Sequence, residues 1–171
     1  MNLFSAPLSP WRRLGLRRAL VVLALDQLSK WIIVNPLSLP SIRQIVLMPI
    51  FSLTWAQNYG ISLGLFSAES PWQRWLLVAL TALVASGVGL WMWREQAKGD
   101  VVALSLILGG AMGNILDRIR FGYVVDFADL HFGEFRPFMI FNLADAAITI
   151  GVLLLVARAL LVREKGPTGD K

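Results

Sequence analysis

The chain alternates long apolar runs with short polar breaks, and four of those runs reach the roughly 20 residues needed to cross the hydrocarbon of a bilayer. They fall at about residues 14–34, 72–93, 101–119 and 138–161. Each predicts a membrane-spanning helix. Two longer connections, 35–71 and 120–137, join these runs on one side, and a short loop joins the second to the third on the other. The first connection contains IVLMPIFSLTWAQNYG, rich in β-branched and aromatic residues and punctuated by prolines at 36, 40 and 49 and by Gly60. That pattern predicts short strands at the membrane surface. The expected architecture is an all-α membrane protein, four transmembrane helices with a small β-rich extracytoplasmic loop region, built as a single integral membrane domain over residues 1–171.

Charge sets the orientation. Arg12, Arg13, Arg17 and Arg18 precede or open the first run, Arg94 and Lys98 lie in the short loop, and Arg163, Lys165 and Lys171 lie in the tail. By the positive-inside rule both termini and the short loop are expected in the cytoplasm, and the two long connections outside. The basic start followed by apolar residues looks like a signal peptide, but Asp26 and Lys30 interrupt it and no small-residue cleavage site follows, so it is expected to be retained. Composition agrees with the pattern: 56% of 171 residues are hydrophobic, and the mean hydropathy is +0.63. With no Cys and a single His, His131, the chain has no disulfide, thiol nucleophile or multi-histidine metal site, so neither metal nor cofactor is expected. The net charge of +5 reads as membrane orientation, and nucleic acid is not expected as a partner.

The polar residues inside the apolar runs are not scattered. An Asp at the centre of a bilayer costs about 2.5–3.5 kcal/mol even on the mildest scale, yet MIFNLADAAITIGVLLLVA carries Asn142 and Asp145. Asp26 and Lys30, four residues apart on one helical face, read as an ion pair that fixes helix packing. GGAMGNILDR at 109–118 combines glycines that allow close helix approach with Asn114, Asp117 and Arg118, where Arg118 is expected to pair with Asp117 or another acid. GYVVDFADLHF sets Asp126 in an apolar surround, with Asp129 three residues on. If the fourth run enters the membrane near Phe138, Asn142 and Asp145 lie roughly 6–10 Å below the outer interface at a rise of about 1.5 Å per residue. Asn58, Asn114, Asp126, Asn142 and Asp145 then fall at one depth and are expected to share one pocket, because buried polar groups in lipid need partners.

Two carboxylates brought close in a low-dielectric site share a proton, one remaining a base and the other an acid. Such a pair suits metal-free peptide hydrolysis, the base taking a proton from water while the acid polarises a carbonyl. Spacing alone leaves two other readings open: a proton or ion site in a small transporter, and interhelical bonding in a purely structural bundle. Toward the cytoplasm, TALVASGVGLW and ITIGVLLLVARALL offer Ser, Thr and Gly rather than a continuous polar path.

Five ordered motifs, DQLSK at 26–30, NYG at 58–60, GGAMGNILDR at 109–118, VVDF at 124–127 and FNLAD at 141–145, resemble the lipoprotein signal peptidases (signal peptidase II) over about residues 14–161. The resemblance implies an intramembrane aspartyl endopeptidase of the bacterial inner membrane that removes the signal peptide from diacylglyceryl-modified prolipoproteins, cutting before the lipidated Cys. It implies Asp126 and Asp145 as the catalytic dyad, Asn58, Gly60, Asn114, Arg118 and Asn142 as residues lining the site, and Asp26, Lys30 and Asp117 as structural support. The implied partners are the prolipoprotein signal peptide, membrane lipid and the cyclic peptide inhibitor globomycin, with the enzyme acting as a monomer. One departure is visible: the family usually shows Ala-Ala-Phe after the Asn-x-Gly, where this chain has Ile61, Ser62 and Leu63.

Overall fold

The computed structural model describes residues 10–60 and 70–161; the Ile61–Leu63 departure lies outside them. Four long helices, α1 (Pro10–Val34), α3 (Pro71–Arg94), α4 (Lys98–Phe121) and α5 (Leu143–Leu161), are joined by the short helix α2 (Leu39–Ile42) and by strands β1 (Gln44–Met48), β2 (Phe51–Asn58) and β3 (Val124–Leu130). Of the long helices, α3, α4 and α5 are both long and apolar enough to cross a membrane. At 25 residues α1 is as long, but its four arginines, Asp26 and Lys30 break the apolar run. Exposed Leu80, Leu83 and Val84 on α3, and Leu153 and Leu160 on α5, leave apolar faces that a bilayer would cover.

Local signals set the helix ends. Pro71 sits in the first turn of α3, where a missing N–H is harmless, and the Gln73 side chain accepts from the Ser70 N–H at 3.0 Å. Gly122, at φ 86°, closes α4 in the left-handed conformation that favours glycine, and its N–H reaches the Arg118 carbonyl at 3.1 Å. At the other end of α4, Asp100 accepts from Arg158 of α5 at 2.6 Å.

Helix α4 is the hub, packing against α1, α3 and α5. Its small residues allow this: a β-carbon on Gly109 would stand 2.6 Å from the Ala19 carbonyl of α1, and one on Gly110 would collide with the Ala144 carbonyl of α5. Backbones approach this closely only where side chains vanish.

At one end of the helices lies an antiparallel sheet in the order β1-β2-β3, with Gln44 opposite Thr54, Ala56 opposite Asp126 and Asn58 opposite Val124. The first connection thus forms strands as its pattern predicts. The second contributes β3, a strand not among those expected. Alternation along β3 directs Val125 into a cluster with Ile33, Leu39 and Trp55, so Asp126 points to the other face, toward the helices.

The fourth helix begins later than its hydropathy suggests. Residues 138–142 are not helical: Phe141 pairs with Ala128 of β3, exchanging backbone hydrogen bonds at 3.0 and 2.7 Å. Hydropathy alone does not distinguish an extended apolar segment from a helical one, and the boundary moves from Phe138 to Leu143.

Candidate active site

The start of α5 is fixed by a reciprocal cap. The Asn142 side chain accepts from the Asp145 N–H at 3.0 Å, while the Asp145 carboxylate accepts from the Asn142 N–H at 3.2 Å. Two donors of the first turn are satisfied in this way, with Asn142 at the cap and Asp145 three residues on. Asp26 from α1 takes a third, accepting from the Ala144 N–H at 3.1 Å. Asp145 is thereby tied to the helix end rather than projecting from the middle of a span.

Asn142 also joins the two acids. Its side-chain amide donates to Asp126 at 2.6 Å and to Asn114 at 3.2 Å, and Asn114 in turn donates to Asp145 at 2.8 Å. Asp126 and Asn142 are buried. Burial, and then the neighbouring Asp145, push the Asp126 carboxyl up to about 7, against the opposing hydrogen bonds of Asn142 and Asn58 and the charge of Lys30. The structure therefore gathers Asn58, Asn114, Asp126, Asn142 and Asp145, drawn from β2, α4, β3 and α5, around one centre.

Behind this centre lies a second layer. Lys30 donates to Asp26 at 2.9 Å, to Asn114 at 3.3 Å and pairs with Asp117 at 2.8 Å. Both acids are fully buried, so the single ammonium is the counter-charge that two carboxylates share in a region that offers them little water. Asp117 also accepts from the Val125 N–H at 3.1 Å, anchoring the strand next to Asp126. Gln27, which sequence reasoning does not single out, donates to Asp117 at 2.9 Å and to Asp26 at 3.2 Å. It lies inside the DQLSK motif, and its position one residue after an intramembrane acid is the signal that could have found it.

The expected pairing of Arg118 with Asp117 is not what forms. Adjacent residues on a helix point about 100° apart, and Asp117 turns to Lys30 while Arg118 donates to the Gly60 carbonyl at 2.7 Å and the Asn114 carbonyl at 3.4 Å. Its Nε is buried without an acceptor among the described residues. Asp129 likewise does not join Asp126: on the opposite face of β3 it accepts from Thr54 at 3.0 Å and from Arg136 at 3.1 Å.

Two cavities open onto Asp145. One, of about 270 Å³, is lined by Asn58, Gly60, Thr81, Asn114, Arg118 and Asp145 among others. The larger, of about 820 Å³, runs between α5 and the segment Arg136–Phe141 and also contains Asn58, Asp145 and Thr149. Among the described residues no three His, Cys, Asp or Glu side chains group so as to hold a metal ion.

Apolar helices around an asparagine-linked pair of aspartates, Asp126 buried and Asp145 on the wall of a cleft, define the class of membrane enzymes. Residues 18–161 match the family model for signal peptidase (SPase) II, and the chain belongs to that family of peptidases. It is similar to the lipoprotein signal peptidase of Sphingopyxis alaskensis, 63% identical over 166 residues covering 97% of this chain and 96% of the relative. The lipoprotein signal peptidase of Rhizorhabdus wittichii is 60% identical, covering 90% and 89%. A bacterial membrane enzyme solved by the in meso method at 2.3 Å resolution has a similar fold, with a TM-score of 0.76 at 26% identity over 92% of this chain and 94% of that one.

Proposed function

We propose that Asp126 and Asp145 are the catalytic dyad with which this signal peptidase II hydrolyses the peptide bond before the lipidated Cys of a diacylglyceryl-modified prolipoprotein, releasing its signal peptide. The observation that carries the assignment is Asn142, whose side chain bonds Asp126 while its own backbone N–H bonds Asp145. The two acids are held through one residue, and the Asp126 carboxyl, shifted to about 7, is the one that keeps a proton toward neutral pH. One carboxylate takes a proton from water, the other gives its proton to the scissile carbonyl oxygen, and the resulting tetrahedral species collapses as the Cys nitrogen accepts a proton and leaves. No cofactor takes part in these steps. Asn114, Asn142 and Asn58 orient the acids; Gly60 and Arg118, joined at 2.7 Å, form a wall on which the substrate backbone is aligned. Asp26, Lys30 and Asp117 hold this arrangement from behind.

The chain acts as one domain and a monomer that crosses the membrane four times, α1 included, with both termini in the cytoplasm and the dyad toward the outer face. The basic residues Arg12, Arg13, Arg17, Arg18, Arg94 and Lys98 at the end opposite the sheet support this orientation. An apolar signal peptide then meets the dyad at its outer end, its acyl chains remaining among membrane lipid.

The test is cleavage of a diacylglyceryl-modified prolipoprotein in detergent by the purified enzyme, Asp126→Asn and Asp145→Asn, with a chelator present and folding checked by circular dichroism. Cleavage by the wild type alone supports the dyad; cleavage retained by either folded variant overturns it. Globomycin is expected to block the same reaction, and inhibition that survives saturating substrate without competition would place its site elsewhere.

A further inference from the structure

The 820 Å³ cleft has a direction. Thr149 and Ile150 line it four and five residues beyond Asp145 along α5, about 6–7.5 Å farther into the apolar part of the helix at 1.5 Å per residue. Arg136 lines it where the chain returns from the sheet. Given the proposed function, on which this inference rests, the signal peptide runs from the dyad toward Ile150, and the mature chain leaves toward Arg136.

Arg136 is held in a defined way. Its Nε donates to Asp129 at 3.1 Å and its Nη2 at 3.5 Å, so one edge of the guanidinium is committed. Asp129 is fully buried and fixed in turn by Thr54 at 3.0 Å, whereas the Arg136 side chain is half exposed. Nη1 meets no acceptor among the described residues. The ion pair is therefore oriented, its carboxylate fully buried and its half-exposed guanidinium among the residues that line the cleft. A planar guanidinium fixed along one edge still has donors that suit a carbonyl or carboxylate oxygen.

We propose that Arg136, positioned by Asp129, selects the mature side of the substrate by donating from Nη1 to backbone carbonyl and side-chain carboxylate oxygens of the residues just after the lipidated Cys. Acidic residues there are favoured and basic ones disfavoured. Asp129 is a positioning residue: without its buried charge the guanidinium turns into solvent and the preference weakens.

The experiment uses the full-length enzyme in detergent and three lipidated prolipoproteins that differ only in the two positions after the Cys, carrying Asp, Ser or Lys. The wild type is expected to show a kcat/KM about three- to fivefold higher for the Asp substrate than for the Lys substrate, the size of a partly exposed charge interaction. Arg136→Gln brings that ratio to about one, Arg136→Glu inverts it, and Arg136→Lys keeps its sign. Asp129→Asn lowers the ratio through KM rather than kcat. A wild-type ratio near one while all three substrates are cleaved, or a ratio unchanged in both Arg136→Gln and Arg136→Glu, overturns the assignment and leaves the dyad standing. Failure of the wild type to cleave any of the three overturns the peptidase reading and this inference with it.

Discussion

At the scale of single residues, the proposed chemistry rests on where one proton sits. The Asp126 carboxyl, raised to about 7 by burial and by Asp145, is protonated below that pH and loses its proton as pH rises through it. The Asp126 carboxyl then has no proton to give the scissile carbonyl. The kcat/KM of the free enzyme is therefore expected to fall on the alkaline side with a limb near pH 7, a value that belongs to the coupled pair. A profile in detergent that stays flat to two pH units above 7 would show that no such proton is needed. Replacing either acid by Asn is expected to lower kcat by about two to four orders of magnitude, the range for a positioned acid or base. The two acids are legible in the sequence because a carboxylate inside an apolar run is conspicuous. Gln27 is marked only by its place beside Asp26, and Arg136 is not marked at all: an Arg in a loop looks ordinary until the fold brings Asp129 to it.

At the scale of elements, the site is a junction between helix ends and a strand. Asn142 caps α5, holds Asp126 and contacts Asn114, so its loss acts at two levels. Asn142→Ala is expected to destabilise the fold by about 1 kcal/mol through the missing cap, and to reduce turnover far more than that stability loss explains; thermal unfolding and kcat measured on the same preparation separate the two. Lys30 is the counter-charge shared by Asp26 and Asp117, which reach α5 and β3 through Ala144 and Val125. Lys30→Met leaves both acids buried without a counter-charge and is expected to cost about 3–5 kcal/mol. Adding Asp26→Asn and Asp117→Asn to that variant should recover much of the loss, since the unpaired charges are then gone; a triple variant no more stable than Lys30→Met would show that charge neutralisation is not what Lys30 supplies. The helix pairings can be anticipated from GGAMG, because absent side chains mark close approach. The position of Asn142 cannot, because FMIFN is as apolar as the helix it precedes, and only its pairing with β3 shows that it is extended.

At the scale of the whole molecule, the acids, the sheet and both cavities lie at one end of the helices, while Arg94, Lys98 and the Asp100–Arg158 pair lie at the other. This polarity is readable from the spacing of basic residues, which the hydrocarbon sorts before any tertiary contact forms. The proposed crossing of α1 is harder to read, since Asp26 and Lys30 interrupt its apolar run, and only the fold shows that they pair at 2.9 Å. A chain without Cys makes the orientation directly measurable. Single cysteines at Glu134, in the loop beyond β3, and at Gln96, between α3 and α4, report the two sides. In right-side-out spheroplasts a membrane-impermeant maleimide is expected to label Glu134→Cys at once and Gln96→Cys only after permeabilisation. The opposite pattern would put the dyad toward the cytoplasm, where the outer end of an exported signal peptide never arrives. Equal labelling of both before permeabilisation would mean that α3 and α4 do not each cross. Either result would remove the geometric reason for a carboxylate at the first turn of α5, because Asp145 is useful there only if the scissile bond comes to rest at the same depth.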